Sequence, residues 1–423
     1  MSILIKNGTV IDPKSGMEEK TDIYIENSII LKIGKNLNIK AAKIIDAEHK
    51  LVVPGLIDIH VHFREPGQEG KETILGGSIV AAKSGFTSVC TMANTTPPID
   101  NQALVKFIKL EAEKGPINIY PVAAVTKGLN GEEISEMGEL YAAGAVGFSD
   151  DGKPVTNALV MKRALEYAKM FNVPVIAHEE DPMLSDSGIM NQGEQSVLLG
   201  LRGIPSESEE TMIARDVLLA KSTNGRLHVQ HISTSGSVQI IREAKNKGTN
   251  VTVETCPHYF TLTDKSVSEH LSMAKMNPPL RTEKDRLAII EGLRDGTIDV
   301  IATDHAPHQA QEKKQEIEYA PFGIVGLETA VPLVITVLVN ENKFSYMDVF
   351  RKMTIRPAEI MGLNRGYIAE NGPADITVID PEKEIHVTED FLISKCKNSP
   401  FIGMKLKGSV DFTICGGKIV YGN

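Results

Sequence analysis

Histidine and aspartate side chains recur in this sequence where short apolar segments end. His60 and His62 stand two residues apart in LIDIHVH, and Arg64 follows at the same spacing. Residues at this spacing in a strand point to one face, so the two imidazoles could bind one metal ion together. Side chains of the same types end four later apolar segments: Asp150 and Asp151, His178, His231, and Asp304.

Imidazole nitrogens and carboxylate oxygens are ligands that suit zinc or a similar divalent ion. Two such ions, ~3.5 to 4 Å apart, could share a carboxylate and activate a water molecule as a nucleophile. The sequence therefore predicts a metal-dependent hydrolase. Only one of the adjacent residues Asp150 and Asp151 can point inward, and we predict that it is Asp151, with the other in a turn.

Two further histidines are predicted to have structural roles. His228 stands three residues before His231, so strand alternation puts it on the opposite face, where we expect it to pack against helices. His305 follows Asp304 directly, so strand alternation would point its side chain to the opposite face from Asp304.

The elements that would position these residues are repeated strand and helix units. Val- and Ile-rich runs alternate with amphipathic stretches, such as those near 101–114 and 209–221, which is typical of a parallel sheet. There are eight such runs, as an α/β fold of the (β/α)8 TIM-barrel type requires, with active-site residues at the carboxyl ends of the strands. The runs span residues 51–62, 86–94, 117–125, 145–151, 173–179, 226–233, 251–259 and 299–308.

Both ends of the chain have a different pattern. Strand-like segments separated by Gly, Asn, Pro and Asp turns occur there without helices between them. Chain termini usually lie close together, so we predict one small β-sandwich built from both ends. The predicted boundaries are 1–52 and 367–423 for the sandwich and 53–366 for the barrel.

Composition narrows the class of partner and the location. The chain has 45 Lys and Arg against 55 Asp and Glu, a net charge of −10 over 423 residues, and no basic run suited to nucleic acid. The longest apolar stretch, around 330–339, is about half of the ~20 residues that span a bilayer. The N-terminal residues do not resemble a secretory leader. We therefore expect a cytoplasmic protein that binds neither nucleic acid nor membrane.

Several longer motifs resemble one enzyme family. GLIDIHVHFREPG, TMANTTP, SDDGKPV, MNPPLR, ATDHAPH, APFGIVGLE and GPADITVID together resemble the long bacterial type of dihydroorotase, within the metal-dependent amidohydrolase superfamily. The resemblance implies reversible cyclisation of N-carbamoyl-L-aspartate to L-dihydroorotate in de novo pyrimidine (UMP) synthesis. It also implies one or two zinc ions, with His60, His62 and Asp304 at one, His178 and His231 at the other, and Asp151 bridging.

The resemblance further implies roles around the substrate. Asp304 would be the catalytic acid and base. Arg64 would anchor a substrate carboxylate, because a guanidinium matches a carboxylate bidentately. The other substrate contacts that the resemblance implies are His62, Asn94, Asn277, His308, Phe322 and Gly323. The polar segment 309–320 lacks an apolar period and is interpreted as a mobile lid over the site.

Two departures from related enzymes keep alternatives open. Many related enzymes, including hydantoinases, allantoinases and some dihydroorotases, bridge their metals with a carboxylated lysine near the end of strand four. This chain offers only Lys127 and Lys153 at unsuitable places, which weakens the hydantoinase alternative. The segment ETCPHYF, in contrast, resembles allantoinases. The alternatives are therefore an allantoinase or dihydropyrimidinase (hydantoinase), or an inactive scaffold for aspartate carbamoyltransferase. A homodimer, or an active enzyme docked to that transferase, is also expected from the resemblance.

Overall fold

The structure is a computed structural model and describes residues 2–422. Its strands include short ones of two to six residues and two long ones near the C-terminus. They are β1 (Ser2–Lys6), β2 (Thr9–Asp12), β3 (Met17–Lys20), β4 (Asp22–Glu26), β5 (Ile29–Gly34), β6 (Lys43–Asp46), β7 (Leu51–Pro54), β8 (Leu56–Val61), β9 (Phe86–Thr91), β10 (Asn118–Pro121), β11 (Val175–Ala177), β12 (Met190–Asn191), β13 (Gly203–Ile204), β14 (Leu227–Val229), β15 (Val251–Thr255), β16 (Val300–Ile301), β17 (Ile376–His386), β18 (Lys405–Cys415) and β19 (Lys418–Tyr421).

The central strands pair in parallel and form a ring. One sheet has the order β10-β9-β8 and another the order β11-β14-β15-β16. Phe148 joins the two sheets by parallel bridges to Ala123 and Val175, and a parallel bridge between Val61 and His305 joins the last segment to the first. The pairings therefore run through eight segments and return to the start. The architecture is mixed α/β of the TIM-barrel type.

The fourth predicted strand, 145–151, differs from the other seven because it forms only the bridges of Phe148. Its backbone is nevertheless bonded on both sides: the Ser149 N–H donates to Ala123 (2.8 Å) and the Ile176 N–H donates to Phe148 (2.8 Å). Glycine is unfavourable in strands, and this segment contains Gly147. It still delivers Asp151 to the rim.

Helices follow most of the central strands, in keeping with the amphipathic stretches. Asn101, Asn157 and Thr234 cap three of them by accepting backbone N–H groups of the first turn. The helices are α1 (Ile74–Lys83), α2 (Gln102–Ala112), α3 (Met137–Ala143), α4 (Ala158–Lys169), α5 (Pro182–Ser185), α6 (Glu194–Leu199), α7 (Glu207–Thr223), α8 (Ser235–Asn246), α9 (Pro257–Thr261), α10 (Ser266–His270), α11 (Glu283–Arg294), α12 (Ala310–Lys313), α13 (Leu327–Leu333), α14 (Tyr346–Arg351) and α15 (Ile355–Met361), with 3₁₀ turns at Lys127–Leu129 and Leu271–Ala274 and a π-helical segment at Val334–Glu341.

The two ends of the chain form two further sheets, separate from the small β12-β13 pair. One has the order β5-β4-β1-β6, and the other, β19-β18-β17-β7-β2-β3, pairs C-terminal β17 antiparallel with N-terminal β7. Apolar residues of both sheets, including Ile3, Ile23, Val52 and Ile376, share one buried cluster. In the described residues, no helix has the length and apolar character needed to cross a membrane.

Candidate metal centre

Six predicted residues meet at the carboxyl ends of the ring strands. His60 lies in β8 and His62 directly after it. The other four residues lie near the carboxyl ends of segments four, five, six and eight: Asp151, His178, His231 and Asp304. His231 and Asp304 have φ values of 30° and 48°, a left-handed conformation that few non-glycine residues adopt. The chain turns sharply at both residues, and their side chains join the cluster.

One half of the cluster surrounds Oδ2 of Asp151. That oxygen lies 3.4 Å from His60 Nε2 and 3.3 Å from His62 Nε2. Oδ1 of Asp304 lies 3.4 Å and 2.9 Å from the same two nitrogens. Four ligand atoms therefore face one another, all on buried side chains.

The other half surrounds Oδ1 of Asp151. It lies 3.4 Å from His178 Nδ1 and 3.5 Å from His231 Nε2, and those nitrogens are 3.0 Å apart. Within residues 2–422, this buried oxygen has no hydrogen-bond partner. Asp151 thus presents one oxygen to each half of the cluster.

These distances fit a pair of divalent cations. Four ligands placed tetrahedrally at ~2.0 to 2.1 Å from zinc are about 3.3 Å from one another, close to the spacing within the first half. Buried carboxylate oxygens without donors need a positive partner, which a cation would provide. The residues therefore suit a metal centre with Asp151 shared between its halves.

Opposite charges in the cluster shift its pKa values. Burial alone raises the pKa of the Asp151 carboxyl, but the imidazole of His60 and contacts from His178 and His231 hold that pKa well below its usual range. Burial likewise opposes ionisation of Asp304, and His60 and His62 lower its pKa. Both carboxylates are therefore ionised at neutral pH and available as ligands.

Sequence analysis did not identify Glu254, whose carboxylate contacts His60 on the side away from the cluster. Oε1 of Glu254 lies 2.6 Å from His60 Nδ1, and its Oε2 lies 3.1 Å from His228 Nε2. Burial raises the pKa of Glu254, but the charge of His60 and the contact with His228 outweigh it and bring that pKa to about 2. A carboxylate on the second nitrogen orients a ligating imidazole and sets its tautomer.

The prediction that His228 packs against the helix layer is therefore wrong: it faces Glu254 inside the ring. The parity argument failed because His231 lies beyond the end of β14, where alternation no longer applies. A carboxylate within the apolar run VTVET was the available signal for Glu254. His305 is structural, since its Nδ1 accepts the backbone N–H groups of Gly326 (3.2 Å) and Leu327 (3.4 Å).

The remaining member of the aspartate pair lies in a turn. Asp150 accepts the backbone N–H of Thr126 (3.0 Å) and its hydroxyl. Burial raises the pKa of Asp150 to about 6 against these contacts. Asp150 is thus the first residue of a turn in which the Lys153 N–H donates to its carbonyl (2.8 Å), while Asp151 enters the cluster.

One cavity of about 200 Å³ lies over the cluster and contains every predicted substrate residue. Arg64 is 8% exposed, and in the described part of the chain its guanidinium forms hydrogen bonds only with Pro307 O (3.4 Å) and His308 Nε2 (3.3 Å). Among the described residues it has no carboxylate partner, so its guanidinium can receive an anion. The cavity is lined by His62, Arg64, Asn94, Asp151, Gly152, His178, His231, Asn277, Asp304, Ala306, His308, Phe322 and Gly323.

The segment beside this cavity is better ordered than its composition predicts. Residues 310–313 of the segment 309–320 form α12, and Glu312 Oε2 accepts the backbone N–H of Gln309 (2.9 Å). Lys313, only 1% exposed, donates to the carbonyls of Pro321 (2.9 Å) and Gly323 (3.1 Å). Its ammonium ties α12 to the cavity wall. Whether the segment moves as a lid stays a prediction.

Comparison with known proteins finds relatives along the whole chain. A family model described as "Dihydro-orotase-like" matches residues 49–237. A dihydroorotase from Pelotomaculum thermopropionicum is 51% identical, covering 99% of this chain and 98% of that one, and one from Endomicrobium trichonymphae is 51% identical over all of both chains.

Solved structures with the same fold are more distant in sequence. An L-hydantoinase (dihydropyrimidinase) from Arthrobacter aurescens superposes with a TM-score of 0.90 at 24% identity, covering 99% of this chain and 96% of its own. A dihydropyrimidinase from Brevibacillus agri gives 0.88 at 22% identity, covering 100% and 95%. At these identities the likeness concerns the fold alone.

Proposed function

The chain belongs to the dihydroorotase family, and from that premise we propose that it interconverts N-carbamoyl-L-aspartate and L-dihydroorotate in pyrimidine synthesis. The observation that carries the proposal is the cluster in which Asp151 presents one oxygen to each of two sets of buried ligands. It supports the chemistry of a hydrolase that acts on cyclic amides.

We assign His60, His62 and Asp304 to one cation, His178 and His231 to a second, and Asp151 to both. Ligands of this kind suit Zn²⁺, which when bound would polarise the amide carbonyl and lower the pKa of water. The residues support two ions, although one ion in the first set would satisfy four ligands.

Asp304 is the proposed acid and base. Its Oδ1 lies beside His62 Nε2 at 2.9 Å and its side chain borders the cavity. In ring opening, the carboxylate accepts the proton of the attacking water and delivers it to the departing ring nitrogen. In ring closure, it removes the proton from that nitrogen, which attacks the carboxyl carbon; as the C–N bond forms, the C–O bond breaks and Asp304 returns the proton to the oxygen that leaves as water.

Arg64 is the proposed anchor of the substrate carboxylate, with Asn94 and His308 beside it. Burial lowers the pKa of His308 to about 2, with further lowering from Arg64 and Lys71. A neutral imidazole next to the guanidinium leaves Arg64 as the cation that the carboxylate meets. Phe322 and Gly323 complete the wall through their backbone.

The buried guanidinium of Arg64 also argues against a ureide hydrolase. Allantoin and hydantoins have no ring carboxylate to neutralise a buried guanidinium, and an unpaired buried charge is costly. An inactive scaffold would have no need of six converging ligands. The CPHY segment is the one feature that favours an allantoinase.

The test is an assay of the purified protein alone on carbamoyl aspartate, dihydroorotate, allantoin and dihydrouracil, with metal content measured on the same sample. We expect turnover of the first two and one or two zinc ions per chain. Turnover of allantoin or dihydrouracil alone would contradict the proposal, and a metal-containing but inactive protein would favour the scaffold.

Other predictions extend this proposal. We propose that the ring closes as a (β/α)8 barrel at 53–366 and that the sheets of 1–52 and 367–423 form one sandwich. A cytoplasmic location, a homodimer and a complex with aspartate carbamoyltransferase stay predictions.

A further inference from the structure

We infer that Glu180 is a positioning residue that orients both His178 and Asn277 through a single carboxylate oxygen. The role of Glu180 toward Asn277 and the substrate rests on the proposed function. Its role toward His178 and a bound metal rests only on the geometry of the cluster. Oε2 of Glu180 lies 3.2 Å from His178 Nε2 and 2.7 Å from Asn277 Nδ2. One oxygen thus joins a proposed metal ligand to a residue of the cavity wall.

The contact fixes the tautomer of His178. Its Nδ1 faces Asp151 and His231, so a cation held there takes the lone pair of Nδ1. The proton of the neutral ring then lies on Nε2, and a carboxylate can only accept it. Oε2 therefore holds the ring in the tautomer and orientation that binding requires.

The same oxygen fixes the amide of Asn277. Because a carboxylate accepts and does not donate, the amide atom that faces it is the NH₂ group. The carbonyl oxygen is then the free end. Among the described residues it receives no hydrogen bond, and Asn277 lines the cavity. Asn277 therefore presents an acceptor to the substrate.

Asn94 is oriented in the opposite sense. His62 Nε2 faces the cluster, so its Nδ1 carries the proton and donates to Asn94 Oδ1 at 2.9 Å. The NH₂ group of Asn94 is left for the cavity. One amide thus offers a donor beside Arg64, suited to a carboxylate, and the other offers an acceptor, suited to a ring N–H. The pair selects a carboxylated cyclic ureide.

The experiment compares Glu180→Leu, which removes the acceptor at similar volume, with Glu180→Gln, which keeps an oxygen acceptor. Asp181→Asn is the matched control, because Asp181 caps α5 through Met183 and Leu184 and asparagine caps equally well. Glu180→Ala is the second acceptor-free variant in case Glu180→Leu does not fold. Zn²⁺ affinity is measured by chelator competition on metal-stripped protein, and kcat and KM for dihydroorotate at saturating Zn²⁺.

In Glu180→Leu we expect Zn²⁺ affinity to fall roughly 10- to 100-fold and KM to rise about tenfold, with kcat changed less than KM. Glu180→Gln should recover most of both values, and Asp181→Asn should match the wild type. If Glu180 acts through Asn277, Glu180→Leu should raise KM little further in an Asn277→Ala background.

Unchanged Zn²⁺ affinity or unchanged KM in a folded Glu180→Leu would overturn the inference, as would additive effects with Asn277→Ala. The Zn²⁺ measurement needs no substrate. A wild-type protein without dihydroorotate turnover would contradict the proposed function, and the Zn²⁺ result would still decide the role of Glu180 at His178.

Discussion

Replacing Arg64 with methionine should damage substrate binding while leaving the fold intact or more stable. Arg64 is buried, and within residues 2–422 its side chain forms hydrogen bonds only with one carbonyl and the His308 ring. Burial lowers its pKa despite the nearby carboxylates of Asp304 and Asp151, which indicates that the free protein holds this charge at a cost. The proposed substrate carboxylate would offset that cost.

The magnitude follows from the hydrogen bonds that are lost. A bidentate contact supplies two charge-assisted bonds, each about 1.5 to 3 kcal/mol, so Arg64→Met should lose about 3 to 6 kcal/mol of binding. That corresponds to roughly two to four orders of magnitude in kcat/KM, mostly in KM. Removal of the unpaired charge should meanwhile raise the free energy of unfolding by about 1 kcal/mol.

Arg281 provides the matched control. It is equally buried but satisfied, donating to Ser233 Oγ (3.1 Å), Asn191 Oδ1 (3.1 Å) and Ile204 O (2.7 Å). Arg281→Met removes these three hydrogen bonds and the cation 3.9 Å from the buried Glu209 carboxylate, and it should destabilise the protein by about 3 kcal/mol or more. Both variants are compared by urea unfolding and by steady-state kinetics on dihydroorotate. Normal kcat/KM in Arg64→Met, or destabilisation as large as in Arg281→Met, would refute this reasoning.

Three other changes test separate parts of the site. Asp304→Asn should abolish turnover and retain most bound zinc, because the amide keeps an oxygen but cannot accept the proton; near-normal activity would contradict the acid and base assignment. Glu254→Leu should weaken Zn²⁺ binding roughly 10- to 100-fold by freeing His60, measured by chelator competition, and wild-type affinity would argue against an orienting role. Burial, with a further effect of Lys275, lowers the pKa of Lys313 to about 7 from its ordinary 10.5. Between these values the unfolded chain binds more protons than the folded one, so this group makes the free energy of unfolding rise with pH from about 7 to 10.5, by up to roughly 1.4 kcal/mol per pH unit. Urea unfolding at pH 7 and 9.5 should show a smaller rise in the free energy of unfolding for Lys313→Met than for the wild type. An identical rise would contradict the attribution of this pH dependence to Lys313.

Local pattern was sufficient to predict much of the fold and the cluster. Seven of the eight predicted ring strands are strands in the structure, and the fourth is present as the bridges of Phe148. The carboxyl ends of the parallel strands lie at one rim of the ring. The positions of His60, His178 and Asp304 at strand ends were therefore enough to predict that they lie close together. The amphipathic stretches likewise predicted α2 and α7 to within a few residues.

The contacts across the ring were decided only by tertiary structure. Side chains alternate between the two faces only within a strand. The left-handed backbone at His231 and Asp304 lies beyond the strand ends, so the periodicity of the sequence could not predict it. For the same reason, the position of His231 did not indicate which way His228 points. Glu254 meets His60 across 194 residues of chain, and Glu180 meets Asn277 across 97. The sequence by itself specified which chemical groups stand at the rim. Which oxygen faces which nitrogen depends on distances of a few tenths of an ångström, and these are set by how the whole ring packs.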